Sequence, residues 1–148
     1  MASGDHMKRR SLLAFLLLGI TFLATPASLL AQAKTAHKVL FAVTSGDEAD
    51  WKLALGNLRN LLTGIPDAEV EVVAFGPGIT MLAKPSSVND DIQALMKKNV
   101  KFNACENSMR GRNLKMADLV DNAGSVPSGI VEVVKKQEEG YSYIKAGR

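Results

Sequence analysis

Residues 38–44, KVLFAVT, and residues 70–76, VEVVAFG, decide the fold of this chain. Both are mainly apolar runs rich in β-branched residues, which is typical of strands buried on both faces. A turn sequence follows each, Ser45-Gly46-Asp47 after the first run and Gly76-Pro77-Gly78 after the second. Between the two runs, leucines recur at helical spacing over residues 51–63. Strands that alternate with helices in this way indicate a parallel sheet.

The rest of the chain continues the alternation. Three further helices are predicted, over residues 89–98, 108–121 and 127–138. Two further strands are predicted, VKFNA at residues 100–104 and YSYIK at residues 141–145. We therefore predict a single three-layer α/β domain, with a mostly parallel sheet of about five strands and helices on both faces.

The first 33 residues have the three parts of a secretory signal peptide. Lys8-Arg9-Arg10 is a short basic run, residues 11–30 are uncharged and mostly apolar, and Ala31-Gln32-Ala33 has the small-x-small pattern of a cleavage site. The sequence therefore predicts cleavage after about Ala33 and a periplasmic or secreted location. The domain then occupies residues 34–148.

Three details of this leader limit its interpretation. A retained membrane anchor is disfavoured because the strongly apolar stretch, residues 12–24, is shorter than the roughly 20 residues that cross a bilayer. Arg9-Arg10 resembles a twin-arginine signal, but no Ser or Thr precedes it and a very apolar stretch follows, so the general secretory route is favoured. Residues 1–6, MASGDH, are interpreted as a tag remnant or a mis-called start, with the signal peptide over about residues 7–33.

The net charge of the domain is close to zero once the leader is set apart. The whole chain has 18 Lys and Arg against 15 Asp and Glu. Asp5, Lys8, Arg9 and Arg10 lie in the leader, which leaves a net charge of about +1 for residues 34–148. No basic stripe with interleaved aromatic residues remains, so we expect no nucleic-acid partner, and no membrane contact after cleavage.

Cys105 is the only cysteine of the chain. It therefore has no partner for an internal disulfide, and a lone thiol in an oxidising compartment is a liability unless it is buried or used. A metal site is not expected, because His37 and Cys105 are the only soft ligands after the leader and lie far apart in sequence. Nothing in the sequence indicates a cofactor.

Ligands of open parallel sheets bind at the carboxyl ends of the strands, where the following loops meet. This rule selects Ser45-Gly46-Asp47, Gly76-Pro77-Gly78 and residues 104–108, which contain Cys105. These loops are candidates for lining a cleft or binding an anion. His37 precedes the first strand, so we expect it at the opposite edge of the sheet, as a surface residue.

The predicted surroundings of Cys105 favour a thiolate. A helix begins just after it, so the free backbone N–H groups of Asn107, Ser108 and Met109 are expected to point toward the sulfur and to lower its pKa. Arg110 and Arg112 lie in the first turns of that helix and would add positive charge. Cys105 is therefore the candidate catalytic residue.

Two alternatives stay open for this region. Cys105 is equally well described, taken alone, as a small buried hydrophobe at the end of a strand.

No histidine lies near Cys105 in sequence to act as a base, so a cysteine-protease dyad is unsupported. The glycine loops match neither G-x-G-x-x-G nor G-x-x-x-x-G-K-[ST], so nucleotide binding is not indicated. A small-molecule or anion-binding module without covalent chemistry is the second hypothesis.

The chain from about Lys38 to Lys145 resembles the DsrE/DsrF-like family of small sulfur-relay proteins. Four segments carry the resemblance by their order and spacing: KVLFAVTSGD at 38–47, VEVVAFGPGI at 70–79, VKFNACENSM at 100–109, and VPSGIVEVVKKQEEGYSYIK at 126–145. The resemblance implies a parallel α/β sheet with helices on both sides. It also implies a homo-oligomer, a trimer or a hexamer, with sites near the subunit contacts.

The resemblance further implies a function. In the sulfur-relay members, a cysteine after the corresponding strand accepts sulfane sulfur as a persulfide and passes it on, and Cys105 occupies that place. Ser45, Gly46 and the Gly76-Pro77-Gly78 loop match positions that line the family's cleft. This implies an exported sulfur-handling protein, with a sulfur donor or acceptor protein as its partner. A non-catalytic oligomeric partner module of an exported sulfur-oxidising system is a further alternative. Export departs from the family pattern, since the relay proteins are generally cytoplasmic.

Overall fold

The fold is built on one parallel sheet. A computed structural model describes residues 37–147, so the predicted leader lies outside the described residues. The five strands are β1 (Lys38–Val43), β2 (Glu69–Ala74), β3 (Lys101–Cys105), β4 (Gly124–Val126) and β5 (Ser142–Ala146). Their order across the sheet is β4-β3-β2-β1-β5, and every neighbouring pair is parallel.

Four helices connect these strands. They are α1 (Glu48–Gly64), α2 (Asn89–Met96), α3 (Glu106–Gly111) and α4 (Gly129–Glu138). Short 3-10 helices cover Gly76–Leu82 and Met116–Asp118. None of the helices within residues 37–147 combines the length and the apolar character needed to cross a bilayer.

The strands alternate their side chains between two unequal faces. The major face, which carries Phe41 and Phe102, packs against α1 and α2 in a large apolar core. The minor face, which carries Leu40 and Val73, packs against α4 in a small one. The predicted three-layer α/β domain is therefore confirmed, with helices on both faces.

A polar cluster lies beside the small core on the minor face. The Glu71 carboxylate is only 3% exposed, accepts a hydrogen bond from Asn103 Nδ2 at 2.9 Å, and lies 3.4 Å from Lys136 Nζ of α4. Tyr141 donates a hydrogen bond to Glu69 at 2.5 Å. Lys136 Nζ lies 5.0 Å from the centre of the Tyr141 ring. Buried charge is tolerated here because each group has a partner.

The prediction of one helix over residues 108–121 is wrong. α3 begins at Glu106 and ends at Gly111, and Asn113 follows in the left-handed region with φ 55°. Asparagine adopts this conformation more readily than most residues, and it prevents the helix from continuing. The segment that follows includes the core residues Leu119 and Val120 and leads to β4, a strand of three residues that the sequence prediction did not include.

The register of the sheet brings the carboxyl ends of the central strands together. Val43 of β1 pairs with Ala74 of β2, and Ala74 pairs with Ala104 of β3. Cys105, the last residue of β3, pairs with Val126 at the end of β4. The loops after these four strands therefore meet at one edge of the sheet.

Candidate functional site

Cys105 is the last residue of β3 and directly precedes the first residue of α3. Its neighbours Ala104 and Phe102 belong to the core of the major face, so the alternation of the strand turns Cys105 to the minor face. The residue is 4% exposed. The thiol is thus held below the surface, at the edge of the sheet where the loops meet.

Two opposing effects act on the pKa of the Cys105 thiol. Burial acts to raise it, because a thiolate is poorly solvated there. Hydrogen bonds from the Ser108 hydroxyl and from the backbone N–H groups of Gly129, Ser108 and Asn107 act to lower it. The hydrogen bonds outweigh burial, and the pKa of Cys105 lies below its ordinary value. The sulfur therefore lies in a site suited to a negative charge.

Two different helices supply these N–H groups. Asn107 and Ser108 belong to the first turn of α3, and Gly129 is the first residue of α4. Free N–H groups at the start of a helix favour a nearby anion. The pairing of β4 with β3 is what brings the start of α4 to the sulfur. Cys105 therefore lies where two helices begin.

A glycine is required at residue 129 for the start of α4 to lie this close to the sulfur and to Phe75. A Cβ atom at this position would lie 2.7 Å from Cβ and 2.8 Å from Cγ of Phe75. These atoms are near the root of the Phe75 side chain, so they have little freedom to move aside. Any side chain at residue 129 would therefore displace the start of α4 or the Phe75 ring.

The Ser108 hydroxyl connects the thiol to the loop after β2. Its oxygen accepts a hydrogen bond from the Gly76 N–H at 2.8 Å, while it also hydrogen-bonds to Cys105. Gly76 has φ 57°, a conformation that glycine adopts without steric cost. The predicted Gly76-Pro77-Gly78 loop is thus joined to the thiol through a single side chain.

The loop after β1 contacts the loop after β2 and does not reach the Cys105 sulfur. The Gly78 N–H donates to the Thr44 carbonyl at 3.0 Å, and a Cβ atom at Gly78 would lie 2.2 Å from the Val43 oxygen. A Cβ atom at Gly46 would lie 3.3 Å from Pro77. The glycines at these positions allow the two loops to pack backbone against backbone.

Ser45 and Asp47 have local structural partners. The Asp47 carboxylate caps α1 by accepting the Ala49 N–H at 2.8 Å. Ser45 accepts the Asp47 N–H through its hydroxyl at 3.1 Å, and its carbonyl accepts the indole N–H of Trp51 at 2.7 Å. These contacts fix the turn after β1 and the start of α1.

A shallow cleft of about 360 Å³ opens beside Ser108. Its lining residues come from the loop after β2 and from α3 with the residue that follows it, namely Gly76, Pro77, Ser108, Gly111 and Arg112. Cys105 does not line the cleft. Ser108 both lines it and hydrogen-bonds to the thiol, so this side chain lies at the boundary between the cleft and the sulfur.

The polar side chains around α3 point to other partners. Arg110 is exposed and donates a hydrogen bond to the side-chain oxygen of Asn107. Glu106 accepts a hydrogen bond from the Ser125 hydroxyl at 2.8 Å. The lowered pKa of Cys105 is thus attributed to neutral donors, whereas the sequence prediction also invoked the two arginines.

The contribution of Gly129 was missed from the sequence. Its signal is the segment Pro127-Ser128-Gly129, which starts a helix, but that segment is distant from Cys105 along the chain. Only the pairing of β4 with β3 reveals their proximity. His37, by contrast, is exposed just before β1, at the opposite end of the strands from Cys105.

No group of three or more His, Cys, Asp or Glu side chains suited to a metal ion occurs within residues 37–147. The donors that converge on Cys105 are N–H and hydroxyl groups, which bind anions. These donors therefore suit a negative charge on the Cys105 sulfur.

Comparison with known proteins gives a consistent classification. The sequence model of the DsrE/DsrF-like family matches residues 37–146. No curated protein matches the chain. One similar solved structure is MTH1491 of Methanobacterium thermoautotrophicum, which is described as a protein of unknown function. It is 32% identical to this chain, and the match covers 74% of this chain and 98% of that chain with a TM-score of 0.72.

Two more distant structures share the fold. The ychN protein of E. coli is 13% identical, with a TM-score of 0.63 over 74% of this chain and 98% of that chain. BT1422 of Bacteroides thetaiotaomicron, a conserved protein of unknown function, is 12% identical, with a TM-score of 0.61 over 73% and 93% of the two chains. Since the family model spans all five strands and Cys105, the protein belongs to the DsrE/DsrF-like family.

Proposed function

We propose that this protein handles sulfane sulfur and carries it as a persulfide on Cys105. The observation that carries the proposal is the set of donors around the Cys105 sulfur, which lowers the pKa of the thiol in spite of burial. A thiolate is the reactive form of cysteine in sulfur exchange. Membership of the DsrE/DsrF-like family supports the same chemistry.

The proposed reaction is an exchange between sulfur atoms. In loading, the Cys105 thiolate attacks the outer sulfur of a donor persulfide, RS–SH. A new S–S bond forms on Cys105, the S–S bond of the donor breaks, and its electron pair leaves with RS⁻. In unloading, an acceptor thiolate attacks the outer sulfur and Cys105 leaves as a thiolate. No external oxidant or reductant is needed, because each step exchanges one S–S bond for another.

The donors around Cys105 suit both the loading step and the unloading step. The N–H groups of Asn107, Ser108 and Gly129 stabilise negative charge on the attacking thiolate and on the departing one. Ser108 separates the thiol from the cleft, so the donor is expected to approach from the cleft past this side chain. Cys105 is thus the catalytic residue of the proposal, and Ser108 is a positioning residue.

Intact mass spectrometry tests the proposal. We expect the protein, incubated with thiosulfate or inorganic polysulfide, to gain about 32 Da, the mass of one persulfide sulfur, and to lose it on adding a thiol. Cys105→Ala is expected to gain nothing. Ser125→Ala is the matched control, since the Ser125 hydroxyl bonds to Glu106 and not to the thiol. Absence of the added mass on the wild type, or an equal gain on Cys105→Ala, would reject the proposal.

A second function is favoured by one observation, the low exposure of Cys105. The cleft beside Ser108 does not include the sulfur, so the fold would also suit a small-molecule or anion-binding module without covalent chemistry. A thermal-shift screen separates the two functions. A ligand that stabilises Cys105→Ala as much as the wild type supports binding alone, whereas stabilisation that requires the thiol supports the sulfur carrier.

The proposal includes assembly and location. We propose a homo-oligomer, a trimer or a hexamer, that is exported to the periplasm or secreted after cleavage near Ala33. The exposed side chains of Ile130, Val131 and Val134 on α4 support assembly, because adjacent apolar residues at a surface mark contact sites. Sedimentation velocity tests assembly, and N-terminal sequencing of the protein from the periplasmic fraction tests cleavage. A monomer, or an uncleaved chain in the cytoplasm, contradicts these parts of the proposal.

A further inference from the structure

Arg112 is the one charged side chain among the residues that line the cleft beside Ser108. It is exposed, and it forms no ion pair with any of the residues 37–147. Arg110, two residues earlier, is also exposed but donates a hydrogen bond to Asn107 and does not line the cleft. Of these two neighbouring arginines, only Arg112 therefore presents its charge to a ligand in the cleft.

We propose that the sulfur donor is a small oxoanion that bears sulfane sulfur, the class to which thiosulfate belongs, and that Arg112 binds its oxoanion group. This inference rests on the proposed persulfide chemistry of Cys105. The cleft of about 360 Å³ suits a small donor, since ligand pockets range from about 300 to 1,000 Å³. A guanidinium group binds oxoanions through two parallel hydrogen bonds.

The charge balance of loading gives Arg112 a second role. The Cys105 thiolate attacks the outer sulfur of thiosulfate, the new S–S bond forms on Cys105, and the old S–S bond breaks. The electron pair of that bond leaves with sulfite. Thiolate and thiosulfate repel each other, and negative charge accumulates on the departing sulfite. A cation at the cleft reduces both costs, whereas it gives little help to an uncharged donor.

The test compares two donors on three proteins. Loading of the wild type, Arg112→Gln and Arg110→Gln is followed by intact mass, with thiosulfate or with 2-hydroxyethyl persulfide. The latter reacts with a thiolate in its neutral RS–SH form and is the uncharged donor of the comparison. We expect Arg112→Gln to lower the rate with thiosulfate by about tenfold or more, and to change the rate with the uncharged donor by less than about twofold. Arg110→Gln is expected to leave both rates within about twofold of the wild type.

Two further measurements make the test specific. One sulfite is expected for each persulfide formed from thiosulfate, and added salt is expected to slow that reaction more than the reaction with 2-hydroxyethyl persulfide. Retained loading by the uncharged donor also demonstrates that Arg112→Gln is folded.

Each other outcome has a definite meaning. If Arg112→Gln loads with thiosulfate as fast as the wild type, or if it slows both donors equally, the inference about Arg112 is wrong while persulfide carrying stands. If the wild type accepts sulfur from the uncharged donor only, the donor class is wrong. If neither donor loads the wild type, the proposed function itself fails.

Discussion

The two faces of the sheet differ in how they are stabilised. The major face has a continuous apolar core built from β1, β2 and β3 against α1 and α2, with Phe41 and Phe102 among its largest buried side chains. The minor face packs against α4, has a small apolar cluster, and carries the Glu71 carboxylate and the Cys105 thiol beside that cluster. The Cys105 thiol thus lies on the face with less apolar packing.

This difference explains how burial of the Cys105 thiol is compatible with a lowered pKa. A close-packed apolar core has no donors to offer a negative charge. On the minor face, α4 begins beside the sulfur, so the Gly129 N–H is directed at it. Further along the same helix, Lys136 is directed at Glu71. One helix therefore supplies donors to two separate anionic positions, and the major face provides most of the apolar burial.

Removal of a large side chain from the major core gives the largest expected effect, and the minor core is tested beside it. Phe41→Ala should lower the free energy of unfolding by about 3–5 kcal/mol, because Phe41 is 1% exposed in the close-packed major core. Val133→Ala in the minor core should cost about 1–2 kcal/mol, since less apolar surface is lost from a smaller cluster. Urea unfolding measures both values. Equal losses would contradict the difference between the two faces.

Removal of the buried carboxylate gives a smaller loss. Glu71→Ala should cost about 2–4 kcal/mol, since it leaves the Asn103 amide and the Lys136 ammonium without one partner each. Glu132→Ala is the matched control, because its carboxylate lies 3.8 Å from the same ammonium and is less buried, and a loss of about 1 kcal/mol or less is expected. Comparable losses for the two variants would show that burial of Glu71 does not matter.

The sequence predicted the parts of the fold that depend on local pattern. The apolar runs of β1 and β2 and the leucine repeat of α1 are long enough to be recognised without knowledge of the tertiary structure. β4 is different: Gly124, Ser125 and Val126 have no strand pattern of their own, and their extended conformation depends on pairing with β3. Tertiary context of this kind is not visible in a short segment.

The same limit applies to the site. The position of Cys105 at the end of a strand, and the N–H groups of Asn107 and Ser108, follow from local sequence. The position of the Gly129 N–H does not follow from local sequence, because this group reaches the sulfur only when β4 lies beside β3. The partnership of Glu71 and Lys136 is likewise a contact between elements far apart in the chain. Local pattern thus predicted the position of Cys105 and the donors from α3, but not the donor from α4.

Gly129→Ala gives the most specific effect on the thiol. The added methyl group would lie within 3.0 Å of three Phe75 atoms, so the start of α4 must move and its N–H is expected to leave the sulfur. The pKa of Cys105 should then rise, because burial is opposed by fewer donors. Alkylation by iodoacetamide, measured against pH, reports this change through the fraction of thiolate.

The lowered pKa of Cys105 in the wild type sets the expected dependence of the alkylation rate on pH. Alkylation of the wild type should reach half its maximal rate at a pH below the ordinary value of a cysteine thiol, and the midpoint for Gly129→Ala should move to higher pH. Gly64→Ala at the end of α1 is the matched control, since a Cβ atom there meets nothing within 4 Å. If Gly129→Ala and Gly64→Ala both keep the wild-type profile, α4 does not stabilise the thiolate, and the difference between the two faces concerns packing alone.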